Sequence, residues 1–310
     1  MKILLTTNKT LSNGKNKWVD GAHYNIYMPM KDLGHEVYFW DTVDPEEPNY
    51  QKVIESFKPD IIFCCLTGDL SLAPSEPPVW DAVQRETEKG NIKTFNWFCD
   101  DTWRFESFSR KVCNYFSICS TPEPDYVKKY KDIGYENIIV GGWHTNHTLY
   151  PDKSLEKKYD IAFIGQMNNP DRNFYINYLK DNGVSVHNFH GLSHEDMMKV
   201  WMQTKIGISF SKNYNGIKPS TQMKLRPFEV AAARDTLVLS EYHDQLEHFF
   251  SVDKEIVCFK SPQEMLKKVK VLLNNQNIRL AIAKRGNDRF LREHTSHKRI
   301  DNVIKKISDI

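Results

Sequence analysis

The sequence has no apolar run of about 18 or more residues, the length needed to cross a membrane, so no spanning helix is expected. None of its six cysteines (Cys64, Cys65, Cys99, Cys113, Cys119 and Cys258) forms a C-x-x-C pair, and Cys64 and Cys65 point to opposite faces of one strand. That spacing argues against a metal site and predicts buried, reduced thiols. No G-x-G-x-x-G follows the first strand, where Asn13-Gly14-Lys15-Asn16 stands instead, which argues against a dinucleotide-dependent oxidoreductase. The opening Met1-Lys2-Ile3-Leu4-Leu5-Thr6-Thr7 lacks a leader-peptide cleavage pattern, so a cytoplasmic location is expected. In that setting the sequons Asn8-Lys9-Thr10 and Asn146-His147-Thr148 carry no weight. Internal repeats and low-complexity tracts are absent too.

What is present is a globular composition, 40% apolar and 26% charged, over 310 residues, which is enough for two domains. The net charge of +2 hides an asymmetry. Residues 1–150 carry 16 Lys and Arg against 21 Asp and Glu, whereas residues 151–310 carry 26 against 19. A basic second half suits an anionic ligand, and the acidic first half argues against a nucleic-acid groove on that side.

Short apolar runs alternate with helix-period stretches. Strands are expected at 2–7, 35–40, 60–66, 92–98, 116–120 and 138–140, with helices near 21–33, 50–57, 76–89, 105–112 and 122–132. Gly141-Gly142 opens a polar connector reaching Lys158, and the pattern restarts. Strands follow at 159–164, 184–189, 205–210, 237–240 and 256–259, and helices near 171–181, 193–203, 262–274, 277–293 and 297–307, with Ser193 as an N-cap. This is an α/β chain of two Rossmann-like domains, 1–150 and 151–296, facing a central cleft. Such sheets bind ligands beyond the carboxyl ends of their strands.

Several residues fall at those ends. In Lys224-Leu225-Arg226-Pro227-Phe228-Glu229 a loop turns into a helix. Arg226 offers a fork for phosphate oxygens, Glu229 an acceptor for ribose hydroxyls, and Lys224 either a further cation or a solvated side chain. Gly165 ends the first strand of the second half, where a missing side chain lets a phosphate approach. Arg172 in the next helix is either a diphosphate contact or a surface residue, and Ser209 ends another strand toward the cleft. In the first half, Asp100 and Asp101 follow the strand at 92–98. Either is a general base for an acceptor hydroxyl or an N-cap for the next helix. His23, His144, Trp97, Trp103 and Trp143 are expected near the cleft, with hydrogen-bonded or core roles as the alternative.

A set of ordered segments carries a resemblance. They are Leu225-Arg-Pro-Phe-Glu-Val-Ala231, Leu237-Val-Leu-Ser-Glu241, Glu255-Ile-Val-Cys-Phe259, Pro262-Gln-Glu-Met-Leu266, Ile282-Ala-Lys-Arg-Gly286, Glu293-His-Thr295 and Arg299, preceded by Tyr159-Asp-Ile-Ala-Phe-Ile-Gly165 and Arg172. Together they resemble the second half of GT-B glycosyltransferases, in the CgeB-like spore-maturation branch related to the group-1 enzymes. The first half matches in outline, through Asp20-Gly21 and Leu33-Gly-His-Glu-Val37.

The resemblance implies transfer of a hexose from a nucleotide-diphosphate sugar, most simply a UDP-sugar, to a hydroxyl on a glycan, lipid, protein or modified DNA base. It implies that residues 297–310 cross back to the first domain, that His190 and Gly191 lie by the nucleobase, and that His23 is a candidate base. No metal and no cofactor beyond the donor are expected, because acidic metal-binding pairs belong to the other glycosyltransferase fold. Group-1 enzymes carry two glutamates eight positions apart. Glu229 fills the second position, but Thr221 stands at the first, which leaves the sugar contact and the stereochemistry open. A DNA-modifying transferase and a non-catalytic nucleotide- or glycan-binding protein remain as alternatives.

Overall fold

Alternate residues of each central strand feed different cores, which is what a strand buried on both faces requires. In β1 (Lys2–Thr7), Leu4 packs among Trp40, Tyr50 and Val53, while Ile3 and Leu5 pack with Ile26, Met30 and Ile304. In β7 (Tyr159–Ile164), Ile161 and Phe163 face one core, and Ala162 and Ile164 the other. The computed structural model describes residues 1–12, 17–67, 77–167, 169–215 and 218–310.

The chain divides into two compact units. The first comprises Met1–Gly142 and Ser296–Ile310, the second Trp143–Thr295. The first holds a six-stranded parallel sheet of β1, β2 (Glu36–Asp41), β3 (Ile61–Cys64), β4 (Lys93–Trp97), β5 (Ile118–Thr121) and β6 (Ile138–Val140), in the order β2-β1-β3-β4-β5-β6. The second holds a five-stranded parallel sheet of β7, β8 (Val186–Phe189), β9 (Thr204–Ser209), β10 (Leu237–Glu241) and β11 (Val257–Phe259), in the order β8-β7-β9-β10-β11. Each order reverses beside its first strand, so the crevices fall between β1 and β3 and between β7 and β9. The helix Ser296–Ser308 covers the first sheet with Ile300, Val303, Ile304 and Ile307, each burial worth about 1.5–3 kcal/mol.

Three expected helices differ in detail. The stretch at 122–132 becomes helical only at Tyr126, because Pro122 and Pro124 bias the residues before them away from helical angles. The stretch at 105–112 starts at Asp101 and passes through a π turn, Phe105–Ser109. The first helix opens on another π turn, His23–Tyr27. Two small hairpins were not foreseen, Thr10–Ser12 with Lys17–Val19 and Lys212–Asn213 with Ser220–Thr221. Ser193 does cap its helix, accepting from the Asp196 amide at 3.0 Å. All six cysteines are free thiols, five of them buried, and burial pushes Cys64 and Cys258 up to about 12. Among the described residues no helix is long and apolar enough to cross a membrane.

Candidate functional site

The second sheet's carboxyl edge gathers most of the expected donor residues. Gly165 leaves β7 with its amide bonded to the Phe189 carbonyl at 2.9 Å. A β-carbon there would lie 2.8 Å from the Phe163 ring, so the bare backbone is needed for packing. Gly165, Gln166, Met167, Asn188, Phe189 and His190 line a pocket of about 480 Å³. His190 is exposed, and Gly191 adopts the left-handed φ of +68° that turns the chain away from β8.

Asn169 caps the helix Pro170–Asp181, and its side chain accepts from the Asp171 and Arg172 amides. Arg172 donates to the Gln166 carbonyl at 3.0 Å, and its guanidinium stands 5.7 Å from the centre of the Phe163 ring. Its Nε is buried without a partner among the described residues. Burial draws the Arg172 pKa down, Arg226 draws it down further, and Glu241 opposes both. Arg172 thus sits in the field of Arg226, a repulsion that a bound anion would relieve.

Arg226 pairs with Glu229 one turn on, lies 3.8 Å from the Met197 sulfur and stacks 5.8 Å over the Trp201 ring. Glu229 is only 4% exposed, so it is no surface complement to a helix dipole. Tyr150 donates to its carbonyl at 3.1 Å. The helix itself, Arg226–Ala232, is seven residues long, and the Phe228 and Glu229 amides both bond the Leu225 carbonyl. That leaves few free amides at the helix start, and charge at this edge comes from side chains. Lys224 is half-buried beside His243, whose imidazole is pushed down to about 4 by burial above all, with Lys224 adding to the effect.

Ser209 ends β9, buried and paired in register with Ser240. Just beyond it, the Glu241 carboxylate accepts from the Ser211 amide at 3.0 Å, the Ser211 hydroxyl at 3.2 Å and the Lys212 amide at 3.1 Å. Sequence reasoning gave Glu241 no role. Its one signal was an acid closing the apolar run Leu237-Val-Leu-Ser.

In the first unit the two adjacent acids have different surroundings. Asp101 is fully buried and accepts from the Ser109 hydroxyl at 2.6 Å and the Tyr130 hydroxyl at 2.9 Å. Burial pushes its carboxyl up to about 6. Asp100 holds a left-handed φ of 59° at the helix start but makes no capping bond, and its side chain, 25% exposed, meets Arg104 at 3.3 Å. His23 stacks 5.3 Å from Tyr27, with its pKa lowered by burial and then by Lys9. Trp97 donates to the Gly141 carbonyl at 3.0 Å, and in the second unit Trp143 donates to the Met223 carbonyl at 3.1 Å. His144 is buried, and the Arg104 guanidinium lies 4.2 Å from the Trp103 ring. Among the described residues no group of three or more His, Cys, Asp or Glu side chains could hold a metal ion.

A family model described as glycosyl transferase-like matches residues 151–305. No curated protein matches the chain. Solved structures do. HepE from Anabaena, in complex with UDP-glucose, is 10% identical with a TM-score of 0.67 over 100% of both chains. Sucrose-phosphate synthase from Thermosynechococcus elongatus is 10% identical with a TM-score of 0.65, over 99% of this chain and 98% of that one. An α-glucosyltransferase in complex with UDP and a 13-mer DNA containing a HMU base is 10% identical with a TM-score of 0.62 over 99% of each. At such identities the likeness shows the fold, that of GT-B proteins with parallel α/β sheets.

Proposed function

The chain belongs to the glycosyl transferase-like family, and from that premise we propose that it moves a hexose from a UDP-sugar to an acceptor hydroxyl. The observation that carries this reading is the set of groups at the carboxyl edge of the second sheet: the pocket at Gly165 and His190, Arg172 on the Gln166 carbonyl, and Arg226 paired with buried Glu229. In the proposed donor complex the two arginines take the diphosphate, Glu229 accepts from the ribose, and the pocket at Gly165 and His190 receives the nucleobase. Complexes of HepE with UDP and with UDP-glucose support a uridine donor for this fold.

During transfer the bond between the anomeric carbon and the β-phosphate oxygen breaks, and the acceptor oxygen bonds that carbon. Negative charge grows on the leaving diphosphate, and preorganised guanidinium groups stabilise it more than the intact ester. The acceptor proton passes to a carboxylate or imidazole, for which Asp100 is the preferred candidate over Asp101 because its side chain is part exposed. His23 is the second candidate. The two arginines meet the leaving charge in this scheme, so neither a metal nor a further cofactor is invoked. Segment 225–231 supports placement in the CgeB-like branch, and free thiols throughout support a cytoplasmic setting.

Incubating the purified protein with a panel of nucleotide-sugars and hydroxyl acceptors, and measuring nucleoside diphosphate released, tests the proposal. Release from UDP-hexoses, faster with acceptor, is expected, and a chelator should not reduce it. Tight binding without turnover across the panel would point to a binding protein instead.

A further inference from the structure

Glu241 takes no part in the chemistry above, yet its carboxylate is buried at the edge where the arginines lie. Its three hydrogen bonds clamp Ser211 and Lys212 as the chain leaves β9. Lys212 then reaches Asp171 at 2.7 Å, with Glu241 Oε1 3.9 Å away. Asp171 precedes Arg172 in the first turn of its helix. Contacts therefore run without a break from the end of β10, through the chain after β9, to the helix that carries Arg172.

The clamp needs only an acceptor oxygen, which a glutamine would supply at a smaller desolvation cost. The charge therefore asks for a separate reason. With no anion bound, the carboxylate offsets the Lys212 ammonium 3.9 Å away and the field of the Arg172 guanidinium on the helix that Lys212 contacts through Asp171. With a diphosphate bound, the same carboxylate repels it. That repulsion is unequal along the reaction, because the freed terminal phosphate carries about one more negative charge than the sugar ester.

We propose that Glu241 is a positioning residue that holds Ser211–Lys212 by its shape and, by its charge, weakens the site's grip on the nucleoside diphosphate product more than on the donor. This rests on the donor reading of the second sheet's edge. The leaving nucleotide is then expelled by a group that the incoming donor tolerates.

Calorimetric titration of wild type, Glu241→Gln and Glu241→Ala with UDP and with UDP-glucose tests the proposal, alongside hydrogen exchange at the Ser211 and Lys212 amides. Glu241→Gln is expected to bind UDP about five-fold tighter and UDP-glucose less than about two-fold tighter, with both amides still protected. Glu241→Ala is expected to lose that protection. Damage to the fold weakens binding, so a selective gain for UDP cannot come from misfolding. Unchanged or weaker UDP binding by Glu241→Gln, or an equal gain for both ligands, overturns the proposal while leaving the donor reading in place. A wild type that binds neither ligand overturns the two together.

Discussion

The carboxyl edges of the two sheets share a strand order and differ in charge. The first unit has a part-exposed Asp100 and a buried Asp101 after β4, with His23 stacked on Tyr27. The second presents Arg172, Arg226 and Lys212, tempered by Glu229 and Glu241. In the proposed reading one backbone plan carries a site for an anionic donor and a site for an acceptor hydroxyl, and what separates them is a handful of side chains beyond the strands. Substitutions that affect one edge and spare the other test that contrast.

The largest effect is expected from removing the cationic pair. Arg172→Ala with Arg226→Ala should lower kcat/KM for the donor about 10³-fold, since each charge-assisted contact contributes about 1.5–3 kcal/mol. Circular dichroism should show the fold intact, and an unchanged kcat/KM would break the contrast.

Next in size is a pH effect confined to the first unit. Folding raises the Asp101 carboxyl to about 6, so the native state holds its proton where the unfolded chain releases it. Stability from this group is complete below about pH 4 and is lost as pH rises to about 6, by about 3 kcal/mol. Urea denaturation across that range should show the loss in wild type and not in Asp101→Asn. Parallel curves would mean the carboxyl is not displaced.

Asp100→Asn should lower kcat about 10²-fold while leaving the donor KM unchanged, because a base acts on the acceptor. A raised donor KM with kcat preserved would place Asp100 among donor contacts. The smallest effect concerns Gly165→Ala, whose new methyl would press on the Phe163 ring. A loss of about 1–3 kcal/mol is expected, with partial recovery in the double variant with Phe163→Leu, measured by thermal unfolding. Additive losses would show that the ring is not the obstacle.

Much of the strand pattern was legible in the sequence. Lys2–Thr7, Ile138–Val140 and Tyr159–Ile164 match the apolar runs, because strands buried on both faces leave a continuous signature. The π turns were not, since the extra residue in each is accommodated by packing and changes the apolar spacing little. The hairpin at Lys212–Asn213 was hidden because polar contacts hold it, Asn213 to Gln222 and Ser211 to Glu241, the latter 30 residues away. Arg226 and Glu229 were visible as a pair three positions apart. The buried state of Glu229 and the field of Arg226 at Arg172 depend on tertiary structure alone. Asp100 and Asp101 look alike as letters. Burial separates them, through partners at Ser109 and Tyr130 that no local pattern announces.

The most direct measurement is diffraction from crystals soaked with UDP-glucose. The diphosphate is predicted within hydrogen-bonding distance of both Arg172 and Arg226, with a ribose hydroxyl on Glu229. Nucleotide density bound away from these three side chains would contradict the account.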